Sequence, residues 1–205
     1  MRSLLLLSLV CAALPVRAQE AGRLLAIQQK KYQLNHELEI GGMFEPQDAF
    51  SKGVGAEGAY VWHFGEAWGW EVLRGGYVAQ LDTGLKQQLV NEFGVIPTQF
   101  ESLQWYVSSS LMWSPLYGKF ALRNASLVHA EAFVDLGAAL GHFTSSFEEG
   151  PQVGVGARVF LSQSVSLRLD ARDTAFFHRK TEGGILTQVV MLSLGLSISL
   201  GGNGG

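Results

Sequence analysis

From Leu34 to Leu200 apolar and polar residues alternate with a period of two, the pattern of strands with one face of each character. The clearest run is Val165-Ser166-Leu167-Arg168-Leu169-Asp170-Ala171-Arg172, apolar at every odd position and polar or charged at every even one. Seven further runs share the pattern. In the first, Leu34, His36, Leu38, Ile40 and Phe44 oppose Asn35, Glu37, Glu39 and Gly41. The second, Gly53 to Phe64, sets Val54, Ala56, Tyr60, Trp62 and Phe64 against Gly55, Glu57, Ala59 and His63. The third runs from Trp68 to Gln80, the fourth from Leu103 to Trp113, the fifth from Val128 to His142 and the sixth from Gln152 to Phe160. The Val165 run is the seventh, and Thr187 to Leu200 is the eighth. In the third run Glu71 and Arg74 fall on opposite faces, which predicts a bulge near Gly75-Gly76.

Alternation alone fits two architectures. A soluble sandwich turns the apolar face inward, whereas a transmembrane barrel turns it to lipid and encloses the charges. Two features favour the barrel. Aromatic residues gather at strand ends: Trp62, Phe64, Trp68 and Trp70 flank one turn, and Trp113, Tyr117 and Phe120 lie by another, as in a membrane-interface girdle. Connections also alternate in length. Gly65–Ala67 and Leu161–Ser164 are short, while Leu81–Ser102 and Phe176–Leu186 are long. Ser114–Leu127 is a long connection on the short side, and Glu45–Lys52 a modest one on the long side. The expected fold is all-β: an eight-stranded antiparallel transmembrane up-and-down β-barrel over residues 34–200 with a filled polar interior.

Composition adds a compartment. Arg2 followed by the apolar Leu4–Leu14 and by Val16-Arg17-Ala18 reads as a secretion signal over residues 1–18. Cys11, the single cysteine, lies inside it and follows Val10 rather than a small residue, against a lipoprotein signal. Residues 19–33 read as a periplasmic lead-in, and 201–205 as a flexible glycine-rich tail. Removing the signal lowers the basic residues from 15 to 13 against 18 acids, a net charge of −5, and leaves no basic run beyond Lys30-Lys31. Nucleic-acid binding is not supported.

The inward faces would carry Glu37, Glu39, Glu57, Glu71, Glu131, Asp135 and Asp170 with Arg158, Arg168 and Arg172. An eight-stranded barrel is just wide enough for side chains to fill, and buried charges must pair, so these ten residues predict an internal salt-bridge network rather than a pore. Two other functions stay open. His129 and Glu131 share a face, and Ser108 or Ser110 could meet them as the catalytic group of a lipid A-modifying enzyme. A small channel is the other. The five histidines show no metal-ligand spacing, and no cofactor is expected. Leu85, Leu89 and Phe93 at helical spacing predict a helix on the barrel mouth.

These strands, the signal and the ending Gly195-Leu196-Ser197-Ile198-Ser199-Leu200 resemble small bacterial outer-membrane barrels of the OmpA/OmpX kind. The ending is similar to the glycine-then-alternating-apolar signal read by the barrel assembly machinery, without its terminal aromatic. Trp113-Ser114-Pro115-Leu116-Tyr117-Gly118-Lys119-Phe120, followed by the Asp135-Leu136-Gly137 strand, resembles the myxobacterial outer-membrane β-barrel domain family, some of whose members serve gliding motility. The resemblance implies an integral outer-membrane protein surrounded by outer-membrane lipid and lipopolysaccharide. It also implies a non-enzymatic structural or interaction role in an envelope complex with other envelope proteins, in gliding motility or surface attachment.

Overall fold

The computed structural model describes residues 34–46, 51–82, 84, 101–122, 126–178 and 185–201. The signal, the lead-in and the Leu85–Phe93 segment lie outside them. Eight antiparallel strands close into one barrel in chain order: β1 (His36–Glu45), β2 (Ser51–His63), β3 (Trp68–Asp82), β4 (Leu103–Leu122), β5 (Ser126–Phe143), β6 (Phe147–Phe160), β7 (Val165–His178) and β8 (Ile185–Leu200). The seam pairs β1 with β8 from His36↔Leu200 to Phe44↔Leu192. Gly201, at φ 81°, ends β8 in a conformation that suits glycine.

The barrel is inside out relative to a soluble core. Ile40, Leu136, Leu169, Val155, Leu194 and Ile198 stand exposed on the outer wall, while Arg74, Arg158, Arg168 and Glu71 are wholly buried within. Apolar side chains cover the outer wall on every strand while charge fills the centre of the barrel, so water cannot be their solvent. The surface demands lipid. Aromatic side chains ring both ends of this apolar belt. Trp62, Phe64, Trp68, Trp70 and Trp113 mark the short-turn end, with Trp62↔Trp70 and Trp68↔Trp113 as cross-strand neighbours. Phe44, Tyr77, Phe147 and Phe177 mark the other. A closed barrel also leaves no backbone edge in the hydrocarbon.

Local structure departs from the sequence pattern at five places. The bulge in β3 sits at Val72, not at Gly75-Gly76: Tyr60 pairs Leu73 and Val61 pairs Glu71, so Val72 is the extra residue. It restores parity, and Glu71 and Arg74 both point inward. Most of the Ser114–Leu127 stretch is strand, with Ser114–Leu122 in β4 and Ser126–Leu127 in β5. β4 and β5 continue as a ribbon to Leu122↔Ser126, with a second bulge between Trp113 and Leu116 that accommodates Pro115. Beyond Trp113 β4 has left β3, while β5 stays paired with β6 as far as His129↔Phe160, so the ribbon leaves the wall at the short-turn end past Lys119↔His129. Leu34 is buried and precedes β1, instead of facing outward with His36. β6 starts at Phe147 and β7 runs on to His178, each five or more residues longer than its alternation. Lastly, the interior is not polar throughout. Met43, Val78, Leu103, Tyr106, Ala139, Phe143, Phe176, Val189 and Met191 form a buried apolar layer near the long-loop end.

Candidate functional site in the barrel lumen

Inward positions on all strands but β4 and β8 place charge in the lumen below that apolar layer. Glu37 and Glu39 come from β1, Glu57 from β2, Glu71 and Arg74 from β3, Glu131 and Asp135 from β5, Arg158 from β6, and Arg168, Asp170 and Arg172 from β7. The ten residues named from the sequence all face inward and are at most 5% exposed.

Two clusters result. The central one is built on Arg74. Its guanidinium holds Glu71 in a two-pronged grip (Nε to Oε1 3.0 Å, Nη2 to Oε2 2.8 Å), donates to Glu39 at 2.6 Å, and donates to Glu57. Arg168 joins it by donating to Glu71 at 3.0 Å, and lies 3.1 Å from Glu39 and 3.1 Å from Asp170. Arg172 donates to Asp170 at 3.0 Å and lies 3.8 Å from Asp135. The Tyr106 hydroxyl donates to Glu57, tying the charges to the apolar layer above. The second cluster is nearer the short-turn end. Arg158 there donates to both oxygens of Glu37 at 2.9 and 2.6 Å and to Glu131, while His63 Nε2 lies 2.8 Å from Glu37. Phe133 separates the clusters, with Arg168 over its ring at 4.6 Å and Arg158 at 5.7 Å.

Glycine makes room for these side chains. A Cβ on Gly154 would stand 2.6 Å from an Asp135 carboxylate oxygen and 2.9 Å from Arg172 Cγ, and one on Gly156 would stand 2.3 Å from Phe133. The strand that carries Arg158 is therefore bare where its neighbours' side chains need space.

Arg74, His63 and Tyr106 belong to the network but not to the residues singled out from the sequence. Arg74 had a signal. Seven acids faced three arginines in that set, and the parity break at Glu71 and Arg74 is repaired by one inserted residue. The apolar layer had none, because its members alternate with lipid-facing residues that are equally apolar.

The candidate catalytic set does not assemble. Ser110 pairs with Gly137 and Ser108 with Ala139, eight and ten residues along β5 from His129. At about 3.3 Å per residue the nearer serine is about 26 Å away along the strand. Ser110 donates instead to Glu71 at 3.4 Å, and His129 packs against Tyr117 at 6.0 Å between ring centres. Among the described residues no group of three or more metal-ligating side chains could hold an ion.

No protein-family model matches the chain, and no curated protein matches it. Solved structures do share the architecture. The outer membrane protein OprG from Pseudomonas aeruginosa is 10% identical, with 83% of this chain and 98% of that one aligned at a TM-score of 0.48. The N-terminal β-barrel domain of Pseudomonas aeruginosa OprF is 8% identical over 82% and 100% at 0.45, and Neisserial surface protein A 11% over 80% and 97% at 0.43. At such identities the likeness is one of fold alone. The inverted surface, the two aromatic rings and the closed ladder are what a bacterial outer-membrane barrel requires, and this chain is one.

Proposed function

We propose that this chain is a non-enzymatic, non-conducting barrel that serves as a structural or interaction component of an envelope complex. One observation carries the reading: the lumen is closed twice, by the paired charges and by the apolar layer above them. A barrel that neither passes a solute nor assembles a reactive group acts through its surfaces. The surface that stands out is the β4–β5 ribbon, whose Pro115, Leu116 and Lys119 are exposed past Trp113 on the edge that β3 leaves open. Short turns face the periplasm in such barrels, so the ribbon extends to that side. The same segment bears the resemblance to the myxobacterial family, and that supports the narrower role in gliding motility or surface attachment.

The test is capture of the tagged barrel from intact envelopes after mild cross-linking, beside a Leu116→Arg variant. Wild type should recover one or more envelope proteins, and the variant, folded and inserted, should lose them. Recovery of the barrel alone from wild type overturns the reading. A changed lipid A profile in a His129→Ala strain would favour the enzyme instead.

A further inference from the structure

The outer wall carries a trench that the alternation does not reveal. Its floor is a row of small outward residues at one register: Ser109 pairs Ala138, and Ala138 pairs Pro151. By the β6–β7 register the row continues to Ala175, which pairs Gln188. One bank is Val107–Leu140–Glu149–Phe177, again cross-strand neighbours. The other is Leu111–Leu136–Val153–Asp173–Val190. The hollow over Ser109, Ala138 and Pro151, banked by Leu73, Leu140 and Phe177, measures about 570 Å³. Strands in such barrels tilt by about 35–45°, so a row perpendicular to them slants through the membrane. Ser109 lies four residues from the girdle residue Trp113 on β4, whereas Gln188 lies twelve from the same end of β8. The trench therefore climbs from mid-membrane to the outer rim, across four strand spacings of about 4.8 Å, or about 19 Å.

The two ends differ in chemistry. At the deep end Trp70 Nε1 donates to Ser109 at 3.0 Å, and the walls are otherwise apolar. The outer end carries Glu149, Gln188 and Asp173. Asp173 sits four residues below Phe177 on the same face, inside the aromatic ring. Gln188 donates to one of its oxygens at 2.5 Å, and the other is shielded and has no hydrogen-bond partner. A carboxylate on a lipid-facing wall is costly and marks a partner that supplies donors. No cation lines the hollow over the floor, and Arg172, next to Asp173, is buried in the lumen.

We infer that the trench seats one acyl chain of lipid A, with the amide N–H and chain hydroxyl at the head of that chain donating to Glu149 and to the Asp173 oxygen that Gln188 also meets. Three requirements lead there. The occupant is apolar along its length, it begins at the outer leaflet, and it carries neutral hydrogen-bond donors just below the interface. Ester-linked phospholipid chains lack donors at that depth. This inference rests on the membrane placement and goes beyond the proposed role.

The test is native mass spectrometry of the full chain extracted from outer membranes in mild detergent, followed by titration of the delipidated barrel with purified lipid A and with phosphatidylethanolamine. Wild type should retain one lipid A and prefer it to the phospholipid by at least tenfold. Ala138→Phe, which fills the floor, should lower retention at least tenfold. Asp173→Leu should abolish the preference. Ala56→Phe, on the lipid-facing wall of β2 away from the trench, should match wild type and shows that a new aromatic is tolerated. Equal retention of phospholipid, or an Ala138→Phe barrel that still holds lipid A, overturns the inference. So does an Ala138→Cys barrel recovered as disulfide-linked pairs, since a second copy would then cover the trench. A chain absent from the outer membrane would instead defeat the proposed function. A chain present there but bare of lipid A defeats only this inference.

Discussion

Arg74 shows how much one side chain can carry in a lumen. It faces three carboxylates and is fully buried. Removing one partner of a buried ion pair costs more than the pair contributes, because the survivors stay charged and unsolvated. Arg74→Met is expected to destabilise the barrel by about 3–5 kcal/mol, read from urea unfolding in lipid vesicles. Arg172→Met, which loses one 3.0 Å bond to Asp170 and otherwise only contacts of 3.5, 3.8 and 3.9 Å, should cost clearly less. An equal loss in both variants would show that Arg74 is not the hub. At this scale the sequence was informative wherever parity held. Nine of the ten candidate lumen residues could be named because their strands keep a two-residue period around them, and Glu71 because it precedes the break in β3. Arg74 escaped because one inserted residue reverses parity, and an insertion leaves no mark in composition.

At the scale of the element, Val72 and the extended strands matter most. Glycine pairs are common bulge sites, which pointed to Gly75-Gly76. The bulge at Val72 instead places Glu71 and Arg74 on one side, where their hydrogen bonds favour it. Deleting Val72 should send Arg74 toward lipid, at about 2–4 kcal/mol for the exposed charge near the midplane, and leave Glu39, Glu57 and Glu71 without it. The expected outcome is loss of the compact, heat-modifiable form on cold gel electrophoresis. A variant that keeps this form would show that the register slips at no great cost. Strand ends were the least legible part. Pro151 and the Glu148-Glu149-Gly150 run read as loop, yet β6 includes them all, because closure of the barrel imposes a ladder that local preference does not ask for. Stopping β6 and β7 early also hid Glu149 and Asp173, the carboxylates on the outer wall. The Ser114–Leu127 ribbon was hidden in the same way, since its bulge at Pro115 breaks the alternation.

At the scale of the molecule, the closed order of eight strands and the inverted surface could be read from the sequence, because period, aromatic placement and connection lengths agreed. The two-layered lumen could not, because an inward methionine or phenylalanine looks the same as an outward one. Both layers bear on permeability. The purified barrel in planar bilayers is expected to show no stable conductance steps, and Phe176→Ala, which thins only the apolar layer, should stay silent. Steady steps from wild type would mean that the network breathes far more than its packing suggests.

Some of the lumen's ion pairs span the barrel instead of joining neighbouring strands. Glu37 and Glu39 stand on the first strand, and the guanidinium groups of Arg158 and Arg168 that neutralise them stand on the sixth and seventh. Until the last hairpin docks on the first, Glu37 has no guanidinium partner and Glu39 has Arg74 alone, and the hydrocarbon cannot host a carboxylate left so. Zipping the sheet shut and settling its electrostatics are thus a single cooperative event. Once formed, such a wall resists parting between its first and last strands, so traffic through a sideways gap there is foreclosed by the same bonds that hold the cylinder together.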